Sequence, residues 1–397
     1  MTEGCVENYE VAVMDRGGVY RVGMLKDLSS VRWSRRLSNV STATIQIAGE
    51  NCVDQIDLLQ EIQPGRHELA IFRGAERVWE GPIDEASWTP IGVTITASDV
   101  FEYLNGTSLG RDWIYDRGPM ATTNMLERVR WMIETELTGT LTWWNGGGQY
   151  ITMQRWEELD PPVNLLPFLD VRQGDVVTRS RTLAFEMMLG EHIQNLARST
   201  MSYTALGRSL IFWDSRQALS QTRRVVSNDF EGGLTVISSR KNLAVWSHAI
   251  SSQEIPTSQG GGYVPRRSSW SPPEQPTGAS NDYFGAWERI FSVEGEDAEE
   301  GDPSNVDYEA LQDAARSDAR GRYPVPLEIN ANDQNLIPTS DLPISDLVPG
   351  VLVPVSAIWN LRPVHQMMLL TGLTVEDDGS GETVRPSLMS AGPAEVM

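Results

Sequence analysis

Apolar and polar residues alternate with period two along residues 78–83 and again along 91–96. Val78, Glu80 and Pro82 oppose Trp79, Gly81 and Ile83; Ile91, Val93 and Ile95 oppose Gly92, Thr94 and Thr96. This spacing, with β-branched residues, predicts two strands that each bury one face. Trp88-Thr89-Pro90 punctuates them as a turn. Ser98 is placed to cap a short helix over 99–104, with Asp99 and Glu102 in its first turn. Upstream, strands are predicted over 9–13 and 19–25 about Asp15-Arg16-Gly17-Gly18, then over 31–37, 43–47 and 68–73. About six or seven short strands with turns at regular spacing indicate a sandwich or a small barrel.

The pattern changes after Leu104. Residues 105–118 are polar and glycine-rich, which marks a boundary. Met125, Leu126, Val129, Met132 and Ile133 recur at helical spacing and predict a helix over 123–135. Trp143-Trp144-Asn145-Gly146-Gly147-Gly148 reads as a loop, and 160–162 and 166–168 as extended chain. A second helix is predicted over 182–198, then a hairpin of 201–205 and 209–213 about Leu206-Gly207-Arg208. Strands follow near 234–237 and 244–246. Residues 255–282 form a long loop containing Gly260-Gly261-Gly262, and 294–309 carry eight Asp or Glu with no Lys or Arg. A helix over 307–321 stops at Gly321. Strands then return at 325–329, 351–358, 367–375 and 383–389, with Pro349-Gly350 as a turn. The fold class is α+β and β-dominated: two strand-rich modules with helical and loop-rich material between them, and no sequence repeat.

Composition narrows the function. A 397-residue chain holds two or three domains. With 40% hydrophobic and 22% charged residues it has the make-up of a soluble globular protein. No apolar run reaches the roughly 18 residues of a membrane helix, and the acidic N-terminus has no secretory apolar segment. The net charge of −22 excludes wrapping a nucleic-acid duplex and is first a solubility device. Lys occurs only at Lys26 and Lys241, so 32 − 2 = 30 basic residues are Arg. That bias fits a GC-rich genome; Arg is also the better bidentate interface donor. Cys5 and Cys52 stand alone and read as reduced thiols of a protein assembled in cytoplasm.

Candidate chemistry is thin. Gly106-Thr107-Ser108-Leu109-Gly110 matches a nucleophile-elbow pattern without the required strand before and helix after. His67, His192, His248 and His365 are scattered, with no zinc spacing. Acidic residues are plentiful, but nothing singles out a glycosidase pair. No phosphate-binding glycine loop is present. Of the 13 Trp residues, Trp33, Trp79 and Trp88 read as core, whereas Trp270 and Trp287 flank a loop and are candidate interface anchors.

Three stretches carry a family likeness. Arg77-Val78-Trp79-Glu80-Gly81-Pro82-Ile83, followed by a strand ending near Asp99, resembles the first barrel of bacteriophage tail hub proteins. Tyr203-Thr204-Ala205-Leu206-Gly207-Arg208-Ser209-Leu210 after a helix resembles their connector, and Leu347-Val348-Pro349-Gly350 their second barrel. The resemblance implies Trp79, Gly81, Ile83, Asp99, Gly207, Pro349 and Gly350 as structural residues of the hub. It implies a first barrel over 1–104, a mixed excursion over 105–181 and a connector over 182–227. The second barrel would take 228–255 and 323–397, with 256–322 inserted in it. It further implies a homotrimeric ring at the virion tail tip. Partners would be a distal tail protein, a tape measure protein and a tip or fibre protein, and DNA would pass without specific binding. In that setting the acidity is also a wall that repels DNA. No cofactor and no catalytic residue are implied, and the chain ends too soon after the second barrel for a lytic extension. Two rival readings stay open: a tail-tip cell-wall hydrolase, which would clear cell wall in a zymogram, and a receptor- or carbohydrate-binding module, which glycan pull-down would reveal. An ordinary cytoplasmic β-rich protein is a weaker third.

Overall fold

The opening alternation folds into seven strands around one short helix: β1 Tyr9–Met14, β2 Arg21–Leu25, β3 Leu28–Arg36, β4 Thr42–Ala48, α1 Ile56–Glu61, β5 Glu68–Arg73, β6 Glu76–Thr89 and β7 Gly92–Ser98. The structure is a computed structural model. It describes residues 6, 8–110, 113–114, 124–144, 147–174, 183–184, 187–197, 201–226, 229–231, 233–238, 245–251, 268–271, 287–293, 308–319, 327–331, 334–391 and 395–396. Cys5, Gly321, residues 260–262 and most of the acidic stretch lie outside these. The middle of the chain holds α2 Glu102–Asn105, β8 Trp113–Ile114, α3 Met125–Leu137, β9 Thr140–Trp144, β10 Tyr150–Gln154, β11 Leu169–Val171, β12 Leu183–Ala184, α4 Leu189–Ala197, β13 Met201–Leu206 and β14 Ser209–Asp214. The last part holds β15 Ser220–Gln221, β16 Thr235–Ser238, β17 Val245–Ser251, β18 Ser268–Ser271, β19 Trp287–Val293, α5 Tyr308–Ala319, β20 Leu327–Asn330, β21 Val351–Trp359, β22 Arg362–Asp377, β23 Glu382–Ser390 and β24 Glu395–Val396. The fold is α+β and β-dominated. No described helix is long and apolar enough to cross a membrane.

The two ends of the chain share a sheet. Twelve strands run in the order β15-β21-β22-β3-β4-β7-β6-β5-β1-β2, with β23 and β24 also paired to β22. The junction is antiparallel and lies between residues more than 330 apart: Gly372 opposes Arg36 and Asp377 opposes Val31. One apolar core runs beneath it, from Val11, Val31, Trp33 and Ile45 to Val355, Leu373, Val375 and Leu388. A second core joins Phe101, Leu104, α3, α4 and the β13–β14 hairpin. A third, small core sits between α5 and β17, which pairs with β18 and β19.

Five sequence readings need correction. The turn into α2 is held by Asp99, whose Oδ1 accepts from Phe101 N–H at 3.0 Å, while Ser98 Oγ donates to Asp84 at 2.7 Å. The predicted helix over 182–198 shrinks to α4, because Leu183 and Ala184 pair with β8. Trp143 and Trp144 belong to strand β9, which pairs with β10, and not to a loop. Trp88 lies near the end of β6 and is 48% exposed, not core. Residues 166–168 make a single 3-10 turn instead of extended chain.

Candidate functional site

Four of the residues that the resemblance singles out meet in two pairs. Gly81 lies in the middle of β6 against the chain leaving β7. A Cβ there would stand 1.9 Å from Ser98 O and 2.7 Å from Asp99 Cα, so only glycine permits this approach. Asp99 is buried and accepts from Ser41 N–H at 2.6 Å and from Phe101 N–H at 3.0 Å. Burial raises its carboxyl to about 6, against the pull of those two donors. Ile83 is buried opposite Ala97. Trp79, also buried, forms an isolated bridge to Gly207. Gly207 holds φ +56 in the β13–β14 turn, a left-handed conformation that suits glycine.

The largest polar feature of this junction gives no signal in the sequence. Arg208, next to Gly207, is buried. Its Nη1 donates to Glu68 Oε2 at 2.6 Å and to Glu80 Oε1 at 2.9 Å, and its Nη2 donates to Glu68 Oε1 at 3.0 Å. Its remaining donors reach Val163 O and, at 3.3 Å, Asn164 O. Arg77 Nη1 donates to the other oxygen of Glu80 at 2.8 Å, and Gly17 N–H to Glu68 at 3.0 Å. Tyr103 of α2 also donates to Glu68, at 2.5 Å. Burial opposes the Arg208 charge, yet the Glu68 and Glu80 carboxylates outweigh it and hold the guanidinium above its ordinary value. Burial, with Glu68 close by, pushes Glu80 up even against Arg208. Burial also pushes the Tyr103 hydroxyl well up. This cluster ties β5, β6, α2, the loop at 163–164 and the β13–β14 hairpin to one point. Arg208, Glu68 and Glu80 are closed off from solvent, and the cluster clamps these segments together.

Pro349-Gly350 makes the corresponding contact in the last part of the chain. Gly350 has φ +98, and a Cβ there would lie 2.3 Å from Trp213 Cζ2. Its N–H donates to Leu370 O at 2.7 Å and its carbonyl accepts from Leu219 N–H at 2.8 Å. The turn is thus pinned between β14 and β22. Two further ties cross the sheet. Buried Arg35 donates to Val78 O at 3.0 Å and to Ile344 O at 3.0 Å, and burial lowers its guanidinium to about 10. Arg73 grips Glu382 with two bonds, at 3.0 and 2.9 Å, beside the Tyr9 hydroxyl, which also donates to Glu382.

The other candidates do not gather. His67 sits in the turn before β5, and His192, His248 and His365 sit on α4, β17 and β22. Burial lowers His192 to about 4. No group of three His, Cys, Asp or Glu among the described residues could hold a metal. Ser108 bridges to Met188, and its carbonyl accepts from Arg155 at 2.9 Å. The neighbouring Gly110 has its reason in the Glu136–Arg155 ion pair: a Cβ would stand 2.4 Å from Arg155 Nη2. Cys52 is buried and free. Trp287 is 43% exposed on β19. Trp270 pairs with His248 in β18, and its side chain lies outside what the structure describes.

No protein-family model and no curated protein matches the chain. Its fold is similar to three solved prophage or tail proteins. The 43 kDa tail protein of prophage MuSo2 from Shewanella oneidensis has 12% identity over 97% of this chain and 98% of that one, with a TM-score of 0.48. The prophage tail protein gp18 from Listeria monocytogenes EGD-e has 11% identity over 95% and 94%, at 0.49. The tail protein from Neisseria meningitidis MC58 has 11% identity over 97% of each chain, at 0.49. Likeness of this degree transfers no function, because one architecture carries many.

Proposed function

We propose that the chain is a structural hub of a phage tail tip. Three copies form a ring that joins a sixfold distal tail ring to a threefold tip or fibre and surrounds the channel through which DNA leaves. The observation that carries this reading is that two pairs of the expected hub residues meet and that Gly350 packs on the hairpin after Gly207. Gly81 abuts Asp99, Trp79 bridges to Gly207, and Gly350 packs on Trp213. All three contacts fasten a connector or crossing segment to one continuous sheet, which suits a load-bearing wall. In this reading residues 1–104 form the first barrel, and 228–255 with 323–397 form the second. Two similar modules in each of three chains then present six similar surfaces. The residues 105–181, 182–227 and 256–322 serve as excursion, connector and insertion.

The partners are other copies of the chain, a distal tail protein, a tape measure protein and a tip or fibre protein. DNA passes without specific binding, since a chain of net charge −22 repels it. The protein works through its surfaces, without catalysis or cofactor, in the virion after assembly in the host cytoplasm. Native mass measurement on the purified chain tests the ring. About 132 kDa, three times 44.1 kDa, is the expected mass, with ring-shaped density at the distal tail in negative-stain images of virions. A monomer at every concentration, or antibody labelling away from the tail tip, overturns the reading.

One observation favours a second reading, a receptor- or carbohydrate-binding module. The β9–β10 hairpin exposes Trp143, Trp144, Tyr150, Ile151 and Met153, and exposed aromatic faces bind well. Glycan pull-down that depends on Trp144 would favour it.

A further inference from the structure

An exposed apolar turn of the sheet and a hollow beside it match each other in size. The first is the β21–β22 turn. Trp359 pairs with Arg362, which leaves Asn360 and Leu361 as the whole turn, at φ +48 and +64. Turns of this kind ordinarily use Asn-Gly or a similar pair, and leucine is uncommon at positive φ. Leu361 is 97% exposed and Ile358 66% exposed. Backbone strain under a fully exposed apolar side chain points to contact with another molecule. The second feature is a hollow of about 330 Å³ between α1 and the β6–β7 hairpin, lined by Leu59, Gln60, Ile62, Pro64, Ala86 and Trp88. A cavity of about 150 Å³ accepts a benzene ring, so this hollow has room for Leu361 and Ile358 together.

Register sets the two features at opposite ends of the strands. Leu28 at the start of β3 pairs with Ile47, Ile47 with Val93, and Val93 with Trp88, so the hollow lies at that end. At the other end Gly372 opposes Arg36. From there β22 reaches back 372 − 362 = 10 residues to the turn, roughly 33 Å of strand. Charge matches as well. Arg362 at the tip is exposed, as is Glu61, which stands between the lining residues Gln60 and Ile62, and neither makes an ion pair among the described residues. Copies of a chain with net charge −22 repel one another unless opposite charges meet where they touch.

We propose that the β21–β22 tip of one copy seats Leu361 and Ile358 in the hollow of a second copy, with Arg362 against Glu61. The inference rests on the ring reading above and names its self-contact. The two surfaces differ, so the contact is head-to-tail, and it closes into a ring when the rotation between neighbours divides a full turn.

The test uses the full chain. Leu361→Gly removes the side chain while relieving the positive φ, so this variant keeps or gains thermal stability. It is expected to raise the dissociation concentration of the trimer at least tenfold by mass photometry. Arg362→Glu is expected to weaken the trimer as well, and adding Glu61→Arg to it is expected to restore assembly. A benzophenone amino acid at position 361 is expected to cross-link to residues 56–64 or 84–88 of another copy. A monomeric wild-type chain removes the ring reading and this contact together. A wild-type trimer whose Leu361→Gly and Arg362→Glu variants dissociate at the same concentration overturns the contact alone. Cross-links that land elsewhere on the copy, or on a different protein, also overturn it.

Discussion

Arg208 follows a glycine that marks a hairpin turn, and an arginine in a turn reads as solvent-facing. Its burial is illegible locally because its partners, Glu68 and Glu80, lie 140 and 128 residues earlier. Arg208→Met keeps the aliphatic stem and leaves two buried carboxylates facing each other. Breaking a buried pair from one side costs about 3–5 kcal/mol, which urea unfolding should show. Glu80→Gln added to Arg208→Met should cost less than the two single changes summed, because the residues share one network. Two other buried groups make stability depend on pH, with opposite signs. The Asp99 carboxyl is raised from 3.8 to about 6. Its stabilising contribution is therefore full below pH 3.8 and is lost as pH rises through 6. His192 is lowered from 6.5 to about 4. Its contribution is present above pH 6.5 and is lost as pH falls through 4. Each window spans about 3 kcal/mol. Relative to Asp99→Asn, the wild-type chain should lose stability from pH 3.8 to 6; relative to His192→Gln, it should gain from pH 4 to 6.5. Parallel unfolding series in the two variants give the two slopes.

Elements with one wet and one dry face were legible, and those with two wet faces were not. Strands β4, β7 and β21 to β23 alternate in burial, so period-two reading finds them, whereas residues 78–83 of β6 alternate in sequence yet are buried on both faces. The β9–β10 hairpin exposes residues along both strands and carries no such alternation, so three glycines after Trp144 dominate its pattern. Trp88 misleads for the related reason that β6 outruns the core near its end. Glycines divide in the same way. Gly350 announces itself by following proline in a turn, whereas Gly81 is extended, and its need for glycine comes from backbone that the sequence cannot bring to it. Substitution separates contact from conformation. Gly74 has φ +61 with open space around it, and alanine there should cost about 1–2 kcal/mol for the left-handed backbone alone. Gly81→Ala must push Ser98 and Asp99 backbone aside, and a loss of more than about 3 kcal/mol is expected. Thermal midpoints of the two variants check the order; a larger loss at Gly74 would remove the packing argument.

At the scale of the whole molecule, the sequence shows strand-rich stretches at both ends of the chain but cannot show that they join, because the joining bonds link β3 to β22 across more than 330 residues. That joint has a mechanical consequence. The second half of β22 is an interior strand, paired with β3 on one side and β23 on the other. The core beneath passes from Trp33 and Ile45 to Leu373 and Leu388 without a break. An opening at the joint must therefore expose apolar surface of both ends at once, and the two ends should unfold as one cooperative unit. Thr374 stands between Ser34 and Arg385 in register. Thr374→Pro deletes its backbone donor and places a ring inside the sheet, at a cost of about 3 kcal/mol or more. Native-state hydrogen exchange reads the result at Ile45 in β4 and Leu388 in β23. The two amides should show matching opening free energies in the wild-type chain and fall together in the variant. If only Leu388 loses protection while Ile45 keeps its own, the two ends are separate bodies that merely touch, and the continuous wall on which the hub reading depends is gone.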